Sequence, residues 1–404
     1  MSVNTMTFEQ VATVLTSLVK QATGQAVLTP TDTGSFVSVG QILLRADHDV
    51  VMNAISSLVG RTLFAIRSQQ DTLPDLTFDS FRWGNIMRKL SIADEDWQDD
   101  PAYAWPVAYD ATQTPPTGDG ESVDPWTIKK PNVLQTNFYG ESVYFDEQTI
   151  FEDQLETAFS GPEQLGSFLS LIMTNLSNRL ARSNMGLKHG LLCNAVGSIY
   201  HENNADRIIH LLTEYNTLTG QQLTAADIYQ GTNFGPFIKW AYSRVAEIAS
   251  IFAEPSLEYQ TVITGKPIVR NTPLDMLQVY MFNPMLQQMS ARVLADTYHE
   301  NFLKYSNVKA LPYWQSIKDG SRDIVKVTPM YTNTSGALAT TTAVTVENVV
   351  GLLFDPDAMG MTILDRRVLS TPLNTKGLYR NLHVHGKQRV FMDNTEKMAL
   401  LLLD

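Results

Sequence analysis

Few of the side chains able to do chemistry stand at a spacing that chemistry could use. His383 and His385 alternate along a predicted strand over 378–385, so both rings share one face, which is half of a metal site. No Asp or Glu occurs from Arg366 to Val390 to complete such a shell, and a polar strand face is the simpler reading. Cys193, the single cysteine, lies beside Leu191 and Leu192 in a helical pattern and reads as a small core residue rather than a nucleophile. One cysteine also excludes an internal disulfide framework and any multi-cysteine zinc site. A phosphate-cradling loop, a Gly-x-Ser-x-Gly elbow and a His-Glu-x-x-His pair are all absent, and Gly118-Asp119-Gly120 sits among acids that would repel phosphate. The expectation is therefore no catalytic set, no cofactor and no metal.

Charge is arranged more purposefully than chemistry. Between Lys89 and Lys129 there is no Lys or Arg, yet Asp94, Glu95, Asp96, Asp99, Asp100, Asp110, Asp119, Glu121 and Asp124 all fall there. Acid–base work or a calcium site is conceivable for the cluster from Asp94 to Asp100, and a solvated, disordered insertion is the plainer alternative. Trp97, Trp105 and Trp126 speak against pure disorder, because side chains of this size normally pack on something. A second block is basic: Arg366, Arg367, Lys376, Arg380, Lys387 and Arg389 occur with no acid among them. Blocks of opposite sign this far apart can pair within a chain or between copies, and either arrangement makes folding or assembly salt-sensitive. The acids from Asp94 to Asp100 (Asp94, Glu95, Asp96, Asp99, Asp100), the six basic residues and Trp97, Trp105 and Trp126 are the candidate inter-subunit contacts. Reversal of Arg380 and Lys387 to Glu is expected to block assembly without unfolding the subunit.

The elements that would carry these blocks can be read from periodicity. Phe8, Val11, Val14, Leu15, Leu18 and Val19 predict a short amphipathic helix ending near Gly24, and Val50 to Val59 predicts a second, with a strand after it at 63–67. Strands at 89–92 and 133–136 flank the acidic stretch, as the two sides of an extended hairpin would. Ser160-Gly161-Pro162-Glu163 starts a long helix with Leu165, Phe168, Leu169, Ile172, Leu176 and Leu180 on one stripe, running to about Asn194. Between 233 and 354 the pattern is mixed: helices near 236–252 and 284–295, strands near 260–263, 324–327 and 349–354. Residues 360–404 read mostly as strand. With 404 residues and 44% apolar side chains, there is enough material for two or three packed cores. No run approaches a membrane-spanning length, and the start of the chain lacks the pattern of a secretory signal, so a cytosolic product is expected.

The order of these parts resembles the major capsid protein of tailed phages, the Hong Kong ninety-seven-like fold, in the form found in short-tailed phages of the phi-twenty-nine type. The likeness rests on Ser57-Leu58-Val59-Gly60-Arg61 with Ile66-Arg67, Lys130-Pro131-Asn132-Val133, the stretch Phe145 to Phe159, and Thr375-Lys376-Gly377-Leu378-Tyr379-Arg380-Asn381, all in the right order. It implies an α+β chain with an N-terminal arm (1–75), an extended β-hairpin loop (76–140), a peripheral domain with a long spine helix (141–232), an axial domain (233–354) and a C-terminal return (355–404). Many copies would form hexamers and pentamers of an icosahedral shell, assembled in the host bacterial cytoplasm with a scaffolding protein and a portal protein, and open to decoration proteins. The shell would enclose DNA without sequence-specific binding, which a formal net charge of −12 suits. A fused scaffold is not expected, since the sequence opens directly with the arm and shows no long helical N-terminal extension, and covalent cross-linking through a loop lysine is not expected, since Lys89 and Lys129 bracket a lysine-free tip. The alternatives are a soluble enzyme or binding protein with a pocket in the 233–354 unit, and an encapsulin-type compartment on the same fold.

Overall fold

The structure is a computed structural model that describes residues 8–23, 29–45, 72–78, 87–93, 126, 132–138, 142–158, 161–202, 204–230, 232–287 and 308–404. Among the described residues the helices are α1 (Phe8–Thr23), α2 (Thr33–Arg45), α3 (Glu152–Ala158), α4 (Pro162–Glu202), α5 (Leu211–Thr219), α6 (Ala225–Ile228) and α7 (Phe234–Ala253), with a further helical segment at 283–287. The strands are β1 (Thr77–Phe78), β2 (Met87–Ile92), β3 (Val133–Phe138), β4 (Ser142–Phe151), β5 (Ile208–His210), β6 (Gln278–Phe282), β7 (Val308–Leu311), β8 (Val325–Val327), β9 (Met330–Thr332), β10 (Leu338–Thr340), β11 (Val344–Val346), β12 (Val349–Phe354), β13 (Met359–Ser370), β14 (Tyr379–Met392) and β15 (Met398–Leu402). The chain divides into two units, one of residues 1–85, 139–195 and 359–392, the other of 86–138, 196–358 and 393–404.

In the first unit β1, β13, β14 and β4 form one sheet in that order, with β1 parallel to β13 and the rest antiparallel. Alternation places Tyr144, Asp146, Gln148 and Ile150 of β4 on one face beside Leu382, Val384 and Gly386 of β14. That face meets α4, whose Arg179 donates to Asp146 at 2.6 Å and to the Glu147 carbonyl at 3.0 Å. Further along α4 the buried Lys188 ammonium donates to the Leu73 carbonyl at 2.7 Å and to Thr77 Oγ1 at 2.5 Å, tying β1 to the helix. Helix α1 buries Val11, Leu15, Leu18 and Val19, the stripe expected from its spacing. Helix α2 is an addition to the sequence reading: Asp32 accepts from the Ser35 amide at 2.6 Å, which caps its first turn and holds the Asp32 carboxyl below its ordinary range. The helix and strand expected at 50–59 and 63–67 lie outside the described residues.

One row across this sheet explains a glycine. Tyr144, Gly386 and Arg366 are neighbours on successive strands, and Tyr144 Oη accepts from Arg366 Nε at 3.1 Å. The phenol can cross the middle strand only because Gly386 has no side chain; a Cβ there would lie 2.0 Å from the tyrosine ring. Gly386→Val is expected to expel Tyr144, break the bond to Arg366 and cost on the order of 1–3 kcal/mol. A thermal melt of the variant superimposing on the parent would sink this account.

The second unit is built on the sheet β5-β15-β12-β6-β7. Every residue of β12 and β15 is buried, as expected for central strands covered on both faces. Helix α7 packs Phe234, Phe237, Ile238, Ala241, Val245, Ile248, Ala249 and Phe252 into a core with Val279, Val350, Leu353, Ala399 and Leu401. Trp314, wholly buried, gives its indole N–H to the Val349 carbonyl at 2.9 Å. Strands β2 and β3 pair antiparallel as expected, Ile92 opposite Val133 and Met87 opposite Phe138. β8 pairs with β11 and β9 with β10 as small antiparallel ribbons.

Two expectations need correcting. The long helix does not stop near Asn194 but continues to Glu202. Gly197 and Ser198 are weak helix formers, yet both are packed inside, and a Cβ on Gly197 would come within 2.3 Å of Val327, so close packing selects the glycine. At 1.5 Å per residue the helix is about 60 Å long rather than about 45 Å. Residues 260–263 form no strand: Ile263 and Lys266 make only an isolated bridge around Gly265, which has φ 76°. Gln260 Nε2 donates to the Ile268 carbonyl at 2.6 Å and the Thr261 amide to the Asn394 carbonyl at 2.9 Å. The helix expected over 284–295 is seen only in 283–287, since residues 288–307 lie outside the described ones.

Candidate assembly surfaces

The face of the first-unit sheet turned away from Tyr144 is exposed, and strand register orders it in three rows: Glu147–His383–Leu369, Phe145–His385–Arg367 and Val143–Lys387–Asp365. Phe145, Leu369 and Val143 stay 55%, 55% and 60% exposed, an unusual load of apolar surface for one side of a sheet. The Phe145 ring lies 5.1 Å from both His383 and His385, stacked on the first and tilted at 44° against the second. His383 Nδ1 stands 3.7 Å from a Glu147 oxygen, an ion-pair distance rather than a hydrogen bond.

Register divides the basic block. Arg367 is on the exposed face and pairs with Asp365 at 2.8 Å, while Lys387 and Lys376 are exposed. Arg366 turns to the other face and reaches Tyr144. Arg380 and Arg389 are buried, at 6% and 3% exposure. Reversing Arg380 to Glu would therefore place a carboxylate inside the unit and would disturb folding, contrary to the expectation for the double reversal. Of the acidic stretch, Asp94, Glu95, Asp96, Trp97, Asp99, Asp100 and Trp105 lie outside the described residues; Trp126 is 84% exposed. In the second unit the β2–β3 ribbon shows Leu90, Ile92 and Val133 on its outer face, exposed by 63%, 64% and 41%.

The inner face of that ribbon leads to a feature the sequence reading missed. Asp393, Asn394, Thr395, Glu396 and Lys397 are five polar residues in succession, all buried. Lys89 of β2 bonds Asp393 at 2.9 Å and also Glu396, which in turn pairs with Arg270 at 3.0 Å. Burial alone would lower the Lys89 ammonium, but the two carboxylates outweigh it and hold it above the usual lysine range. Burial would likewise raise Asp393, but Lys89 and Thr395 hold it below its usual range; for Glu396 burial prevails and pushes the carboxyl up. Asn394 donates to Glu202 at 3.0 Å, and Glu202 also binds the fully buried Arg207 guanidinium. Lys397 donates to the carbonyls of Ile251, Phe252 and Glu254 at 3.2, 3.3 and 2.8 Å, closing the C-terminal end of α7. A run of polar residues between apolar strands ordinarily signals an exposed turn, so only an excess of complementary charge elsewhere could have pointed to it.

Among the described residues the chemistry-bearing groups do not converge. Cys193 is buried and desolvation pushes its thiol up to about 12, which suits packing and not nucleophilic attack. Among the described residues no three His, Cys, Asp or Glu side chains are placed to hold a metal, and no helix is long and apolar enough to cross a membrane. In the second unit a cavity of about 230 Å³ is lined by Ala225, Tyr229, Phe282, Asp323, Asn348 and Val350. It offers one carboxylate and one phenol, without the nucleophile, base and charge-stabilising donors of an active site.

The family described as Phi29-like phage major capsid protein matches residues 15–402 of the chain. The chain belongs to that family. As a Phi29-like major capsid protein it is a structural shell protein of tailed phages, located in the virion capsid and not an enzyme. No curated protein matches it in sequence. Among solved structures it is similar to a chain of the Staphylococcus phage Andhra capsid, with TM-score 0.51, 10% identity, and 81% of this chain and 83% of that chain covered. It is also similar to a chain from the structure of the head fibre and inner core protein gp22 of native bacteriophage P68, with TM-score 0.50, 10% identity and the same coverage, 81% and 83%. At that identity the likeness is one of fold, the α+β capsid fold of Hong Kong ninety-seven type.

Proposed function

We propose that this capsid protein forms an icosahedral shell around double-stranded DNA, in which residues 76–140 lie across a neighbouring copy and residues 141–232 and 355–404 form the peripheral domain. Residues 233–354 act as the axial domain near the capsomer centre. The observation that carries the reading, beyond family membership, is the exposed three-row face of β4, β14 and β13. Its aromatic and aliphatic side chains, with Arg367 and Lys387 among them, fit a partner that is both acidic and tryptophan-rich, the composition of residues 94–126. Lys376 adds a third accessible cation nearby in sequence. Lys89 is committed to Asp393 and Glu396 of its own unit, which supports the expectation that it does not weld copies together. A scaffolding protein, a portal protein and decoration proteins are the further partners this role calls for, and host cytoplasm is the place of assembly.

Expression of the full chain alone and together with its neighbouring phage genes tests this directly, by size-exclusion chromatography and negative-stain electron microscopy. Shells, tubes, sheets or capsomer-sized rings are the expected products, with closed shells of uniform size once scaffold is supplied. A subunit that stays monomeric under both conditions would overturn the proposal.

A further inference from the structure

We infer that the buried Asp393–Lys397 turn is a latch that seats the β2–β3 ribbon through Lys89 and shares that seat with the ends of α4 and α7, so that unseating the ribbon loosens both helix ends. Three observations within the second unit carry this. The ribbon rests on polar contacts: Lys89 on Asp393 and Glu396, Ser91 Oγ with Arg270 at 3.1 Å, Asn132 Nδ2 on the Gly265 carbonyl at 3.1 Å, and Lys266 Nζ on the Val133 carbonyl at 2.7 Å. Leu90, Ile92 and Val133 face the other way, while Met87, Leu134 and Phe138 share the half-buried inner face with Lys89 and Ser91. The same five-residue turn then holds Glu202, at the last turn of α4, through Asn394, and the last carbonyls of α7 through Lys397.

The charged part of this seat has water as an alternative partner. Seated, the charges are dry and paired; lifted, water hydrates them, and the Coulombic gain of a buried pair is largely offset by its desolvation. Once Asp393 and Glu396 are hydrated, the turn that presents them has no reason to stay inside, and Asn394 and Lys397, adjacent in the chain, lose the backbone that positions them. Coupling is thus carried by one contiguous piece of backbone rather than by a chain of side chains. On the reading that residues 76–140 lie across a neighbour, contact there would be registered at α4 and α7.

Hydrogen–deuterium exchange on the unassembled full chain tests the latch separately from shell formation. Lys89→Met is expected to raise exchange at least tenfold in three places: the ribbon (87–92 and 133–138), the turn and β15, and the helix ends 196–202 and 247–253. Lys89→Arg should restore the parent pattern, because a guanidinium can serve both carboxylates. An increase confined to the ribbon would overturn the coupling, and an unchanged ribbon would overturn the seat. Should Lys89→Met fail to fold, Glu396→Gln keeps the shape of the seat and removes one charge; the same three segments should exchange faster, to a smaller degree, and a response of the ribbon alone again overturns the inference.

Discussion

Arg207→Met is expected to destabilise the subunit by about 3–5 kcal/mol, the usual consequence of removing one partner from a buried ion pair. Arg207 is wholly buried and donates to Glu202, to Thr261 Oγ1 at 2.9 Å and to the Met398 carbonyl at 3.3 Å. Burial lowers the guanidinium from its ordinary value and Glu202 only partly restores it, but the group stays charged. Methionine matches the aliphatic stem and removes every polar contact. Glu202, 14% exposed beside Arg207, is then left with Thr261 and Asn394 as neutral donors, a carboxylate short of its counter-charge. The double variant Arg207→Met, Glu202→Leu should recover much of the loss, since an apolar pair of similar volume avoids the desolvation cost of both ions. Urea unfolding of the unassembled subunit, in a full double-mutant cycle, measures both. A single-variant loss below about 1 kcal/mol, the range of exposed pairs, would show the cluster to be hydrated.

The parts legible in the sequence were those in which local pattern and tertiary burial agree. Strand β14 alternates from Tyr379 to Lys387, and its buried Leu382 and Val384 face the same way as the alternation demands. Helix α7 shows eight buried residues at helical spacing, and the antiparallel pairing of β2 with β3 is the natural result of two matched strands around one insertion. What the sequence concealed were residues whose partners are remote. Asp393 to Lys397 look like a solvated turn until Lys89, Glu202 and the end of α7 are brought to them from up to about three hundred positions away. Arg380 belongs to a basic block by sequence, but even-numbered positions in this part of β14 face inward, and register alone separates it from Lys387. Gln260 to Ile263 have strand-like composition and no ladder to join. Periodicity reports which face is apolar; it does not report which buried polar residues have been matched.

That division of the basic block decides how the assembly surface should be tested. Arg367, Lys376 and Lys387 are exposed, so changing all three to Glu should leave the fold within about 0.5 kcal/mol per site of the parent, the usual range for surface substitutions. Assembly should respond far more strongly. If these cations meet the acids of residues 94–100 on a neighbour, reversal turns attraction into like-charge contact, which costs several kcal/mol at each interface and is repeated at every copy in a shell. The expected result is a folded subunit with the parent melting temperature and no shells by electron microscopy under conditions where the parent assembles completely. Converting Asp94, Asp96 and Asp99 to Lys in the same chain should restore shells, because the pairing would re-form with the signs exchanged, and the acid-to-lysine variant alone should again fail. Raising salt should weaken assembly of the parent and of the charge-swapped chain alike, since rim charges are screened within about 8–10 Å at ordinary ionic strength. Shells of normal yield from the triple reversal would remove these cations from the interface and leave the apolar rows around Phe145 as its main support. Failure of the swap to rescue would mean that the cations dock on a different acidic partner, such as a scaffold, and co-expression with that protein carrying the reciprocal change would then be the way to find it.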